Sequence, residues 1–442
     1  MKGPRAAVET ARSAAEAARL ARRASRKLAL LSGEERNRAL EAAAQSLERN
    51  LAAILQANAE DLRAAQGLVR TGEITQAMLA RLRVDEEAVS GMAEKVRSVA
   101  RLADPLGRTL SRTELDQGLV LSKETCPLGV VAVVFESRPD VVPQVASLAL
   151  KSGNAILLKG GREAAASNRV LGSLWQEALA GCGLPEGAAG MLATRSDVQE
   201  LLALDRDVDL LVPRGGKDFV AAISRQSRIP VLGHGAGVCH VYVHERADLE
   251  KARRIVLDAK VDYPAACNAA ETLLVDAAVA GRFLPGMVRA LSEAGVEVRG
   301  CERTRAIVGP EAARAAAPDD WGAEYGDLVL AVRVVDDADQ AIAHIHEYGS
   351  SHTEAIVTED AAAADRFLDE VDAAGVYHNA STRFADGYRY GLGAEVGISN
   401  GKLHARGPMG LEGLTTYKYK LRGSGQTAGD YKRGRRFTHR PL

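Results

Sequence analysis

The sequence predicts an α/β protein with two doubly wound regions, each a parallel sheet wrapped by helices, and a small β arm. Three observations carry this. Runs such as GVVAVVF from Gly129 and AILLKG at 155–160 are continuously apolar, as strands buried on both faces are. Helical stretches separate them at the spacing of strand–helix–strand units. The same alternation resumes near Val238 and runs to about Asn400.

Residues up to about Ala103 read as helices. Ser32 followed by Glu35 forms a capping box ahead of a helical run from Asn37 to Leu55. In ELDQGLVLSKE (114–124) polar and apolar residues partly alternate, as in an exposed strand or hairpin arm. After the strand from Gly129 come a helix at Val141 to Lys151, the strand at 155–160, and a helix starting near Glu163. A third strand, DLLVPRGG, ends at Gly216, and a helix follows around Phe219 to Ile223. Ligands of such sheets lie beyond the carboxyl ends of the strands, where Gly, Lys and Arg fall here. The second region offers VCHVYV, TLLV (272–275), LVLAVRVV (328–335) and EAIVTE (354–359) as strands. LTTYKY (414–419) reads as a strand that pairs elsewhere, and 423–442 as a short solvated tail.

A chain of 442 residues exceeds one ordinary core. Its 46% hydrophobic and 26% charged residues are the mix of a soluble globular protein. A net charge of −1 argues against nucleic acid or an anionic membrane as main partner, because both leave a basic surface. The first thirty residues carry charges throughout, which fits an amphipathic helix and neither a signal peptide nor a membrane span. The five cysteines are widely spaced with no CxxC pair, so neither a disulfide framework nor a metal site is expected. The expected setting is the reducing cytoplasm.

Cys267 has the most distinctive surroundings. It sits in YPAACNAAETLLV, between a Pro and an apolar strand, among alanines that leave room for a substrate. Its own amide or the next one is placed to donate to an oxyanion. On the residues alone it is either a nucleophile or a buried structural thiol. Cys239, inside VCHVYV, reads as core, and Cys126, Cys182 and Cys301 as turn or loop residues.

Five motifs, in order, resemble those of the γ-glutamyl phosphate reductase family, a branch of the aldehyde dehydrogenase superfamily. They are PLGVVAVVFESRPDVVPQVASLALKSGNAILLKGG, LVPRGG, VLGHGAGVCHVYV, YPAACNAAETLLV and RGPMGLEGLTTYKY. The resemblance implies an aldehyde-dehydrogenase-like fold. It places a cofactor domain at 1–110 and 128–237, a catalytic domain at 238–400, an oligomerisation arm at 111–127 and 403–422, and a tail at 423–442. Such arms pair between subunits, which implies a homodimer or tetramer.

It also implies that Cys267, with Asn268 beside it, attacks the γ-acyl phosphate of glutamate to leave a thioester. NADPH then supplies hydride. Hydrolytic relatives carry a Glu ahead of a Gly pair to activate water, whereas this chain reads Leu232, Gly233, His234, Gly235. His234 is then a replacement base, or a turn residue that is structural or faces the phosphate. The WNFP motif is replaced by FESRP, so Ser137 or Arg138 occupies the oxyanion neighbourhood.

For the cofactor, the resemblance points to Lys159 at the adenosine ribose and to Arg214, Gly215 and Gly216 at the pyrophosphate. Glu324 corresponds to the residue that holds the nicotinamide ribose. Arg162 stands where NAD-preferring members place a Glu, and an Arg suits the 2′-phosphate of NADPH. Arg138, Asn379 and Arg383 are candidates for the substrate's carboxylate and phosphate, and Glu395 for its ammonium. No room remains in the N-terminal region for a kinase domain, so glutamate 5-kinase is an expected separate partner. A hydrolytic aldehyde dehydrogenase and a silent scaffold of the same fold are the rival readings.

Overall fold

In the computed structural model, residues 13–233 and 235–442 are described; the first twelve residues and His234 lie outside them. The N-terminal third is helical. Helices span Ala14–Leu28, Gly33–Arg49, Leu51–Arg70, Gln76–Leu82 and Glu86–Arg101. The capping box forms as expected: the amide of Glu35 donates to Ser32 Oγ, and the amide of Ser32 donates to the Glu35 carboxylate. The run to Leu55 is not one helix, however. Asn50, at φ −109° and ψ 24°, leaves the helical region and separates two helices. Its side chain donates back to the Ser46 carbonyl at 2.8 Å, the local bonding by which Asn competes with helix.

Two strands then form a hairpin, β1 (Thr109–Asp116) and β2 (Leu119–Pro127). Next comes a parallel sheet of β3 (Val130–Phe135), β4 (Ala155–Lys159), β5 (Ala189–Met191) and β6 (Leu210–Arg214), in the order β5-β4-β3-β6. β3 is central and wholly buried, which is why its sequence is unbroken Val, Ala and Phe rather than alternating. Helix Val141–Lys151 returns the chain from β3 to β4, and helix Lys217–Gln226 follows β6.

The second region holds a seven-stranded parallel sheet. Its strands are β7 (Cys239–Val243), β8 (Ala270–Asp276), β9 (Glu297–Gly300), β10 (Arg314–Ala315), β11 (Val329–Val335), β12 (Thr353–Val357) and β13 (Gly375–His378). The order is β10-β9-β11-β8-β7-β12-β13, so β7 and β8 lie near its middle. A two-stranded ribbon, β14 (Ile398–Ser399) and β15 (Gly407–Pro408), brings the chain back toward the first sheet: Val396 packs in the first sheet's core.

β16 (Thr415–Arg422) pairs antiparallel with β2 along its whole length, Thr415 opposite Pro127 and Arg422 opposite Val120. Residues 423–442 depart from the solvated tail the sequence suggested. Helix Ala428–Lys432 and β17 (Arg440–Pro441) fold onto the hairpin, with β17 beside β1. Asp116 gathers this segment, accepting from Tyr431 Oη at 3.0 Å and pairing with Arg435. Tyr431 stacks on Phe437 with centroids 4.0 Å apart. Cys126 likewise lies in β2 rather than in a loop, because its neighbours pair with β16. All five cysteines are free thiols. Among the described residues no helix is long and apolar enough to cross a membrane.

Candidate active site

Cys267 lies in a turn between helix Leu249–Val261 and β8, partly exposed, at the middle of the large sheet. Two short backbone bonds shape the turn, Ala266 N–H to the Tyr263 carbonyl (3.0 Å) and Ala269 N–H to the Ala266 carbonyl (2.9 Å). Three neighbours hold it. Cys239 Sγ donates to the Cys267 carbonyl at 3.3 Å from the start of β7. Thr382 Oγ1 donates to the Asn268 carbonyl at 2.7 Å, and Asn268 Nδ2 donates to the Ala385 carbonyl at 2.8 Å. Gly237 approaches from below: a Cβ built there would lie 2.0 Å from the Cys267 oxygen. Asn268 itself is buried and its amide nitrogen is committed to Ala385, which fixes the Cys267 turn.

The ends of β3 and β6 face this turn. Ser137 takes a left-handed φ of 44°, and both its amide (2.6 Å) and its hydroxyl (2.8 Å) donate to Glu163 Oε1. Its hydroxyl proton is therefore engaged inside the fold. Arg138, the next residue, is exposed, with Asp140 3.9 Å from its Nε. Arg214 ends β6. Its Nη1 is sealed from solvent without a hydrogen-bond partner. Burial pulls its pKa down and the charge of Arg138 adds to this, while Glu395, Asp140 and Cys267 oppose it. Glu395 shows the mirror image: burial raises its pKa, and Arg214 opposes the rise, as does the Gly387 amide that donates to Oε2 at 2.8 Å. Arg214 thus feels Cys267 together with one further guanidinium group, Arg138, and two carboxylates, Glu395 and Asp140. Arg214, which the sequence suggested as a pyrophosphate ligand, belongs to this group.

The candidate cofactor residues collect at the carboxyl ends of β4 and β6. Lys159 ends β4 with its pKa lowered by burial, a shift that Glu163 opposes. Arg162 follows in a short 3₁₀ turn (Arg162–Ala164), exposed and paired with Glu73. Gly215 sits against Glu136, and the Gly216 amide donates to Glu136 Oε2 at 3.3 Å. Gly216 is also the N-cap of Lys217–Gln226, without a side-chain cap, and a Cβ there would meet nothing within 4 Å. A half-buried Lys, an exposed Arg and an open helix start in one row fit the phosphates and ribose of a dinucleotide. Glu324 is exposed on the loop before β11, across the site on the second sheet.

Two further sequence candidates are engaged by protein partners. Asn379 spans Thr358, accepting from its amide at 3.0 Å and donating to its carbonyl at 2.9 Å. Arg383 is buried, with Nε 3.1 Å from Asp262 Oδ2. It sits in the same 382–385 turn that grips Asn268.

Sequence reasoning passed over Lys260 and Glu271, a fully buried pair 2.6 Å apart, with Glu271 on β8 four residues beyond Cys267. The signal was present: a carboxylate in the otherwise apolar run AAETLLV requires a buried partner.

A partly exposed thiol in the turn before a central strand of one parallel sheet, with an uncapped helix start on a second, defines an oxidoreductase of the aldehyde dehydrogenase type. The aldehyde dehydrogenase family profile matches residues 2–318. A γ-glutamyl phosphate reductase of Synechococcus sp. (strain JA-3-3Ab) is 54% identical over 424 residues, covering 95% of this chain and 93% of its own. One from Natronomonas pharaonis is 52% identical over 411 residues, covering 93% of each chain. The crystal structure of the Thermotoga maritima γ-glutamyl phosphate reductase is 40% identical and superposes with a TM-score of 0.90, covering 94% of this chain and all of that one. A propionaldehyde dehydrogenase from Rhodopseudomonas palustris, 15% identical with a TM-score of 0.65, shares the fold. The chain belongs to the aldehyde dehydrogenase family and, within it, to the γ-glutamyl phosphate reductases.

Proposed function

We propose that this chain reduces L-glutamyl 5-phosphate to L-glutamate 5-semialdehyde and phosphate with NADPH, the second step of proline synthesis from glutamate. The observation that carries the reading is buried Arg214, its Nη1 without a partner, placed among Cys267, Arg138 and Glu395. The substrate offers two anions and one ammonium, and the site offers the cations Arg138 and Arg214 with the carboxylates Glu395 and Asp140. Relatives over half identical along nearly the whole chain bear the matching name.

In this reading Arg138 and Arg214 bind the phosphate and α-carboxylate, and Glu395 takes the ammonium. The Cys267 sulfur attacks the γ-carbonyl, the C–O bond to phosphate breaks, and the acyl group stays on sulfur as a thioester. The peptide amides of Cys267 and Asn268 supply the oxyanion donors. NADPH, when bound, supplies the hydride for the acyl carbon, held by Lys159 and Arg162, by Gly215 and Gly216, and by Glu324. Arg162 favours NADPH over NADH through its charge. The stretch 232–235 brings no carboxylate to activate water, which favours reduction over hydrolysis of the thioester.

The enzyme works in the cytoplasm as a homodimer or tetramer. Exposed Tyr417, Tyr419 and Leu421 on the edge strand β16 form the contact between arms. It receives its unstable substrate from a glutamate 5-kinase through at least transient association.

The test follows glutamate-5-semialdehyde oxidation as NADPH formation, with and without phosphate, beside Cys267→Ala. Phosphate-dependent turnover absent from the variant supports the reading. Phosphate-independent turnover would assign the chain to hydrolytic dehydrogenases, and cofactor binding without turnover to a silent relative.

A further inference from the structure

Lys260, on helix Leu249–Val261, and Glu271, on β8, lie fully inside the second region, with Nζ 2.6 Å from Oε2. Removing two charges from water is costly, and well-packed apolar residues often serve a core as well or better. A pair kept in such a place calls for a use beyond packing. Burial drives both groups toward their neutral forms, raising Glu271 to about 7 and lowering Lys260, against their mutual attraction.

The other carboxylate oxygen supplies the use. Glu271 Oε1 accepts from the amide of Gly326 at 3.2 Å. Gly326 takes a left-handed φ of 60°, so its amide direction is set by a conformation that few other residues adopt. It is preceded by Tyr325, whose ring lies 6.0 Å from Lys260 Nζ and whose hydroxyl donates to Asp320 Oδ1 at 2.8 Å. Before Tyr325 comes exposed Glu324. Glu271 is four residues beyond Cys267 and is the second residue of β8, the strand that the Cys267 turn enters. One carboxylate therefore ties the nucleophile's strand to the loop that presents Glu324.

We propose that Lys260 and Glu271 are positioning residues. Glu271, oriented by Lys260, fixes the 324–327 loop relative to β8 and so sets the nicotinamide end of the cofactor over the Cys267 sulfur. This rests on the reading above that Glu324 holds the nicotinamide ribose. Neither residue touches substrate or cofactor.

The full-length protein is titrated with NADPH by fluorescence, and Cys267 alkylation by iodoacetamide is timed without cofactor. Variants are Glu324→Ala, Lys260→Met/Glu271→Leu, Lys260→Met/Glu271→Gln and Glu271→Asp. Glu324→Ala is expected to weaken NADPH at least 10-fold. Lys260→Met/Glu271→Leu should weaken it by a similar factor while alkylation stays within 2-fold of wild type. Lys260→Met/Glu271→Gln should recover most of the affinity, because an amide oxygen still accepts from Gly326. An unchanged dissociation constant in Lys260→Met/Glu271→Leu, with Glu324→Ala weakened, would overturn the proposal and leave the role of Glu324 standing. An unchanged constant in Glu324→Ala would overturn both. Should the Leu variant not fold, Glu271→Asp decides: it keeps the charge but withdraws the oxygens by one methylene. Affinity equal to wild type in that variant would also defeat the proposal.

Discussion

Gly237 and the carbonyl of Cys267 are in such close contact that a methyl group on the first would overlap the second, at 2.0 Å. No rotation relieves a Cβ, so the turn that presents the thiol must shift. Gly237→Ala is expected to lower kcat by about 10²-fold, the scale of a misplacement near 1 Å. Steady-state rates beside a thermal melt check it, and wild-type kcat in a folded variant would contradict the contact.

Thr382 grips the same turn from the far side through its hydroxyl on the Asn268 carbonyl. Thr382→Val keeps the shape and leaves that buried carbonyl unpaired. The expected loss is about 1–3 kcal/mol of stability, measured by urea unfolding, together with a lower kcat.

Arg162 is expected to set cofactor preference. In the free protein it pairs with Glu73 on the surface, a bond readily exchanged for a phosphate. Losing a charge-assisted contact of about 1.5–3 kcal/mol corresponds to roughly 10- to 100-fold. Arg162→Ala should raise KM for NADPH by that range and barely alter KM for NADH. Equal effects on both would place the 2′-phosphate elsewhere.

His344 is expected to govern acid stability. Burial, aided by His240 and Arg333, lowers its pKa from 6.5 to about 3, and its Nδ1 lies 2.8 Å from Arg333 Nη1. The folded state holds this ring neutral while the unfolded chain protonates it below 6.5. Stability is therefore fully present above pH 6.5 and declines as pH falls toward 3, by at most about 1.4 kcal/mol per pH unit. His344→Gln should flatten this slope in denaturant titrations between pH 7 and 4.5.

The parallel sheets were legible because a strand covered on both faces writes itself as an unbroken apolar run, as β3 and residues 155–158 of β4 do. The break at Asn50 was not, since a single Asn in an otherwise periodic stretch resembles an exposed helical residue. The fold of 423–442 depended on Asp116, far away in sequence, and its own Lys and Arg residues suggested only solvation. In the site, Cys267 stood out through its local surroundings. The placement of Arg214 beside Glu395 did not, for 181 residues separate them and only the packed sheets bring them together. Glycine and lysine at strand ends suggested a cofactor side, yet a strand end alone does not reveal which way an arginine turns.

The surroundings that set the Cys267 turn come from Arg214, Gly237, Cys239 and Thr382, stretches of chain that are distant in sequence and span both sheets. Long-range closures of this kind form late, after helices and local hairpins. A refolding chain is thus expected to recover its helical signal well before its thiol is correctly placed. Reactivity would be the last property this molecule acquires, and a nascent or partly unfolded copy would hold an ordinary cysteine in place of a working one.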